Sequence, residues 1–388
     1  SRSQLERIIQ DTRALKEYQA EPSSEDDMRK IPLLEISDID PKIQKQENIE
    51  KNLVGIPVIV HPIPTNGIAY IHLCFKLDKL SIDLLPYANL LARILGMIDT
   101  EHYTYNDLAS EIRLRSGGIR TSFEVRSGLE PDAYLPTFDV KAKMLYGQID
   151  DSFKLMEELL LHSKLTDTDR LREIVAEIKA SMKPELVSQG HSTAATRVMS
   201  YISAGHYVKE RAKGIDYYEF IDNLNQNFDN RKEELVEKLN TVLEELLHKE
   251  NLVISYTGDN KVEEAIGMNV TLFSVYLSNR KQECPVQHLE LSKQNEGFKT
   301  ASQVQYVATA GNFKTKGFET TGALRVLETI FAYDYLWLNV RVQGGAYGCM
   351  CGFGDNGVSY LTSYRDPNLM ETYDVYQSAA EYVANFQA

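Results

Sequence analysis

What most constrains this chain is an order of elements that occurs twice. Residues 69–77 alternate like a half-buried strand and 84–98 form an apolar helix. Gly117 and Gly118 then punctuate the chain, and strand-like runs at 119–125 and 133–142 lead into an amphipathic helix over 149–161. The series returns later: a strand-like run at 303–310, a long apolar helix over 322–340, Gly344-Gly345, paired strands at 346–352 and 358–364, and an amphipathic helix over 370–386. Paired glycines at matching places mark a tight entry into a sheet, where positive φ or close backbone approach excludes a Cβ. Each copy is expected to be an α+β layer, with helices packed on one face of a mostly antiparallel sheet.

Ahead of the first copy, Leu5, Ile8, Ile9, Thr12 and Leu15 mark one face of a charged helix. An acidic loop at 23–27 and an extended segment at 31–40, with Pro32 and Pro41, follow. Residues 56–60 and 69–77 flank a turn with Pro62, Pro64, Asn66 and Gly67, which predicts an antiparallel hairpin. A further helix at 105–115 lies within the first copy. Past that copy come helices at 167–182, 192–212, 217–226 and 230–247, an apolar strand at 251–256, and a mixed linker over 261–299. The first copy runs on for roughly a hundred residues beyond its last shared helix while the second stops, so the second is expected to be truncated. Together with an opening inside a helix at Ser1, this predicts a piece of a longer protein.

The 42 Lys and Arg against 56 Asp and Glu leave a net charge of −14, which argues against nucleic acid as a partner. No apolar run reaches the ~18 residues of a membrane span. Four cysteines in 388 residues are too few for a disulfide scaffold, which points to a reducing cytoplasm or organelle matrix. The eight histidines include no H-E-x-x-H or H-x-x-E-H spacing. Glu101-His102 lacks a third ligand upstream, because Ile98 has no lone pair, and reads as a polar loop. Cys349 and Cys351 would share one strand face with no second pair nearby, which favours burial over metal binding. Residues 352–357 read as a hairpin turn rather than a phosphate loop, and no G-x-S-x-G elbow is present.

One segment carries chemical specificity: Arg341-Val342-Gln343-Gly344-Gly345-Ala346-Tyr347-Gly348, preceded by the chain's one tryptophan, Trp337. A guanidinium at a helix end and a phenol just past a Gly-Gly turn have the reach to converge on one backbone carbonyl. The competing reading has Arg341 capping its own helix and Tyr347 filling a cavity under the sheet.

This run resembles the R-x-x-x-G-A-Y-G signature of the pitrilysin or insulinase family of inverzincin zinc metallopeptidases, within it the presequence protease branch. The resemblance covers most of the chain. It implies that 1–45 is the end of a helical linker between halves, 46–262 a third peptidase-like domain without zinc, 263–299 a linker, and 300–388 a partial fourth domain. It further implies that the whole protein is a zinc endopeptidase degrading unstructured peptides in a closed chamber, with its Zn2+ ligands outside this chain. This half would then partner the N-terminal half of the same polypeptide, without cleaving peptides by itself. Arg341 and Tyr347 would bind the peptide substrate, Tyr347 would stabilise the transition state, and Gly344 and Gly345 would form the structural turn. The helix at 86–95 would lie where a zinc helix lies, without ligands, so no metal site is expected here.

Two readings from other classes stay open: a non-catalytic scaffold with the same fold, and a stand-alone peptide-binding module. The acidic balance also raises a preference for cationic peptides in an acidic chamber, which a solvated acidic exterior explains equally well.

Overall fold

The computed structural model describes residues 2–20, 24–42, 45–282, 289 and 291–386. The chain divides into a small unit, Ser1–Gln46, and a large one, Glu47–Ala388. The small unit contains helix α1 (Arg2–Ala20) and the short helix α2 (Glu25–Arg29). The acidic stretch expected to be a loop is therefore helical. Ser24 caps it by accepting the Asp27 N–H at 3.1 Å, and Glu25, Asp26 and Asp27 lie in the first turn, where the helix dipole favours negative charge.

The large unit begins with strands β1 (Ile49–Leu53), β2 (Ile56–His61) and β3 (Ile68–Lys76). Helices α3 (Leu85–Ile94) and α4 (Tyr105–Arg115) follow, then strands β4 (Ile119–Ser127) and β5 (Tyr134–Leu145) and helix α5 (Ile149–Leu161). The Thr104 hydroxyl caps α4, accepting the Asp107 N–H at 3.2 Å. A helical run then comprises α6 (Thr168–Ser188), α7 (Gly190–Ser200), α8 (Ala204–Lys213), α9 (Ile215–Gln226) and α10 (Phe228–Leu246). The single helix expected over 192–212 is two helices, because Ser203 adopts an extended conformation between them while remaining buried.

Strand β6 (Leu252–Thr257) completes a six-stranded sheet of order β1-β2-β6-β3-β5-β4. Only the β2–β6 pair is parallel. The expected hairpin between β2 and β3 does not form: β6 lies between them, and β2 instead makes its hairpin with β1. The β1–β2 turn has both Val54 (φ 48°) and Gly55 (φ 88°) in the left-handed region, the twist that two-residue hairpins need. Helix α11 (Glu263–Phe273) corrects the reading of 261–299 as linker, because Ile266, Val270 and Phe273 are fully buried in the same core as β3 and β6. Along β3, Ala69, Ile71, Leu73 and Phe75 point into that core, while Tyr70, His72 and Cys74 line the opposite face.

The second copy consists of β7 (Ala308–Asn312), α12 (Ala323–Ile330), β8 (Gly348–Phe353), β9 (Val358–Tyr364) and α13 (Met370–Ala384). Its sheet order, β7-β9-β8, repeats β3-β5-β4 of the first copy, with antiparallel pairing throughout. A separate core gathers Val307, Leu336, Val340, Ala346 and Tyr376. Helix α7 fastens the two modules: Gly190 lies so close to Tyr306 that a Cβ would sit 2.3 Å from its ring, and the His191 ring meets Tyr364 edge-on at 4.9 Å. Among the described residues, no helix is long and apolar enough to cross a membrane.

Candidate functional site

Helix α12 does not stop at Ile330. It continues with π-type winding through Phe331–Tyr335 and Trp337–Gln343, a wider ladder that recurs at functional sites. The turn that ends it explains both glycines. A Cβ on Gly344 would lie 2.5 Å from the Val340 carbonyl oxygen, and Gly345 has φ +81°. The N–H groups of Gly344, Gly345 and Ala346 donate to the carbonyls of Asn339, Arg341 and Val340 at 3.0, 2.9 and 3.1 Å. Ala346 is buried, and the chain then enters β8.

This turn delivers Arg341 and Tyr347 to one cavity of about 610 Å³, lined by Trp337, Arg341, Val342, Gly345, Ala346, Tyr347 and Arg365. The Arg341 guanidinium carbon lies over the Trp337 ring, 3.8 Å from its centroid, as residues i and i+4 of one helix allow. The Tyr347 side chain is 68% exposed, which removes the reading that it fills a hole beneath the sheet. Its backbone N–H donates to the Tyr364 and Arg365 carbonyls, and its ring stands edge-on against Tyr364 at 5.8 Å. Tyr364 in turn contacts Tyr306 and His191. The phenol is thus propped by an aromatic chain reaching into α7, and burial holds the His191 pKa below its ordinary value.

Tyr364, His191 and Arg365 escaped the sequence reading. His191 is far from Tyr347 in the chain and is brought near it by packing alone. Arg365 has φ +50°, and an arginine carries no signal for a conformation that glycine or asparagine usually supplies.

Elsewhere, His102 and Glu101 do more than line a loop. His102 Nδ1 lies 2.8 Å from Glu158 and His162 Nδ1 lies 3.0 Å from Glu101, with the two rings edge-on at 5.4 Å. Cys349 and Cys351 are half-buried and buried, with thiols pushed up to about 11 and about 12 mainly by burial. Cys284 lies outside the described residues.

Helix α3 contains no His, Cys, Asp or Glu, so it offers zinc no ligand. Nine of the ten residues of α3 are buried, and its Asn89 donates to the Ala212 carbonyl at 2.8 Å. One group of donors does converge where sequence spacing gave no sign: His72, Cys74 and Asp139 have ligand atoms within 4.8 Å of one another. Asp139, fully buried, pairs one carboxylate oxygen with Arg126 at 2.8 Å and Lys141 at 3.7 Å, while its other oxygen lies 3.0 Å from His72 Nε2 and neither of those two atoms makes a hydrogen bond. Two cations at its carboxylate oppose a dication, and the Cys74 thiol is pushed up to about 11 by burial and by Asp139.

Residues 1–224 match the family described as associated with subfamily C of the M16 peptidases, and residues 295–387 match the PreP C-terminal domain. The chain is 34% identical to Protein HypA of Clostridium perfringens over 99% of its own length and 39% of that protein's. It is 29% identical to presequence protease 1, chloroplastic/mitochondrial, of Arabidopsis thaliana, over 98% of its own length and 35% of that protein's. It therefore spans somewhat over a third of these curated relatives. In fold it is similar to a protease from Helicobacter pylori, at a TM-score of 0.60 and 12% identity, covering 88% of this chain and 81% of that one. With its α+β repeat, its Gly-Gly turn and these matches along its length, the chain belongs to the pitrilysin-type M16 peptidases and carries the C-terminal half of a presequence protease-like member.

Proposed function

We propose that this chain is the substrate-holding half of a zinc endopeptidase that degrades unstructured peptides, and that Arg341 and Tyr347 hold the peptide backbone beside the reacting carbonyl. The observation that carries this is the shared cavity. The Gly-Gly turn presents an exposed phenol and a guanidinium held over an indole ring to the same space, and neither makes an ion pair among the described residues. A zinc ion would supply an activated water, and its ligands would come from the N-terminal half of the same polypeptide. This chain alone would cleave nothing. Peptidases among the relatives and free thiols at Cys74, Cys349 and Cys351 are in keeping with a reducing organelle matrix or cytoplasm.

The guanidinium contributes a charge-assisted bond to a peptide carbonyl, worth about 1.5–3 kcal/mol. The phenol O–H donates to the oxygen on which negative charge develops, and removing such a donor costs about 2.7–4 kcal/mol of transition-state stabilisation. Both act only if they are fixed before substrate arrives, which Trp337 does for one and Tyr364 for the other.

The test is Tyr347→Phe in the full-length enzyme. Because the residue is exposed and the ring keeps its contact with Tyr364, stability should stay within about 0.5 kcal/mol. The turnover number should fall about 10²- to 10³-fold with KM little changed. Wild-type turnover would remove the phenol from the mechanism.

A further inference from the structure

The charge of the cavity around Tyr347 runs against that of the protein. The chain has a net charge of −14, yet the cavity wall carries two guanidinium groups, Arg341 and Arg365, and no carboxylate. Among the described residues, neither guanidinium makes an ion pair, whereas Arg115, Arg126, Arg170 and Arg197 are each committed to one or more acids. The nearby Asp366 is fully buried and turned away from this use. It accepts the Thr372 hydroxyl at 2.7 Å and the Asn368 N–H at 2.9 Å.

The placement of Arg365 is itself costly. A left-handed conformation in a residue with a Cβ is disfavoured by about 1–2 kcal/mol, and it persists only where surrounding bonds enforce it. Here the Arg365 carbonyl accepts the Tyr347 N–H at 3.3 Å, so the strained residue is tied directly to the phenol's own backbone. Its side chain lies 5.8 Å from the Tyr364 ring and lines both the cavity and a neighbouring groove of about 1010 Å³. That groove is walled partly by Pro184, Val187, Val304 and Tyr306, and its Lys179 is already paired with Asp222 at 2.5 Å.

We infer that Arg341 and Arg365 form a carboxylate-binding subsite, which seats a negatively charged group of a peptide while the adjoining groove takes the chain that leads to it. This rests on the peptide-holding role proposed above and adds a preference to it. Planar guanidinium groups suit a carboxylate, whose two oxygens accept parallel N–H bonds, far better than a neutral amide. Two sources share this chemistry, the C-terminal carboxylate of a peptide and an Asp or Glu side chain.

The experiment uses the 388-residue chain and follows Trp337, the one tryptophan, whose ring underlies Arg341, with calorimetry in parallel. Four extended peptides of one parent sequence are titrated: free acid and amide at the C-terminus, each with an internal Glu or Gln. Preference for both free-acid peptides assigns the subsite to the peptide terminus, and preference for both Glu peptides assigns it to a side chain. We expect the favoured carboxylate to bind about tenfold tighter than its neutral counterpart, less so in high salt. Arg365→Gln should bring the two to equal affinity. Arg365→Gly should do the same while relieving the left-handed strain, so loss of fold cannot explain the result. Equal binding of all four peptides overturns the carboxylate subsite but leaves the backbone-holding role standing. Failure of all four to bind overturns both.

Discussion

Gly344→Ala probes the turn on which the site depends. The new Cβ would meet the Val340 carbonyl oxygen at 2.5 Å, the Asn339 carbonyl oxygen at 2.9 Å and the Val340 carbonyl carbon at 3.1 Å. All three are backbone atoms of the helix end, so no rotamer change relieves the clash. The turn must open by several tenths of an ångström, at the expense of the bonds from Gly344 and Ala346 to those same carbonyls. Overpacking of this kind costs about 1–3 kcal/mol. At about 2.1 cal/mol/K per residue, cooperative unfolding of the large unit, Glu47–Ala388, carries an entropy of about 0.7 kcal/mol/K, so Tm should fall by about 1–4 °C. Gly345→Ala is the control. Its Cβ would find only Pro367 Cγ at 3.6 Å, so its cost comes from φ +81° alone, and Gly345→Asn should recover part of it. Calorimetric unfolding gives the Tm values, and Trp337 emission reports the helix end, because Asn339 and Val340 lie in the winding that holds Arg341 over the ring. An unchanged Tm and unchanged Trp337 emission in Gly344→Ala would refute the steric account of the paired glycines.

Burial lowers the His206 pKa from 6.5 to about 4. The unfolded chain therefore binds the proton more readily, so this group's stabilisation is complete above pH 6.5 and is lost as pH falls towards 4, by up to about 3 kcal/mol. His206→Gln should flatten the urea midpoint against pH in that window, and an unaltered profile would contradict the shift. Arg197 bonds Asp216 at 2.6 Å, Glu296 at 2.8 Å and Glu210 at 3.3 Å, and Glu210 is 1% exposed. Arg197→Ala leaves that buried carboxylate without its cation and should cost about 3–5 kcal/mol in denaturant unfolding, well above Glu296→Gln. Equal costs for the two variants would place the network's value elsewhere.

Two helices were legible from the chain alone, one from its Thr104 cap and one from its apolar spacing: residues 105–115 and 149–161 coincide with α4 and α5. The repeat was legible too, since its order of elements recurs in one sequence, and strand β9 matches its predicted span. The β2–β3 hairpin was misread because a turn reports only that the chain reverses. Which strand fills the gap depends on β6, which arrives nearly two hundred residues later. Helix α11 was missed for a related reason: its burial against the first core comes from the fold and not from its polar flanks.

The sequence by itself determined where Arg341, Gly344, Gly345 and Tyr347 fall, because the short-range constraints of a helix end and a positive-φ turn are written in adjacent residues. Only the tertiary structure decided that the phenol stands on Tyr364, that Tyr364 rests on His191 from another module, and that Arg365 joins Arg341 at one cavity. Those relations come from close packing between segments distant in sequence. Packing depends on three-dimensional shape, and no local pattern of residue types encodes it.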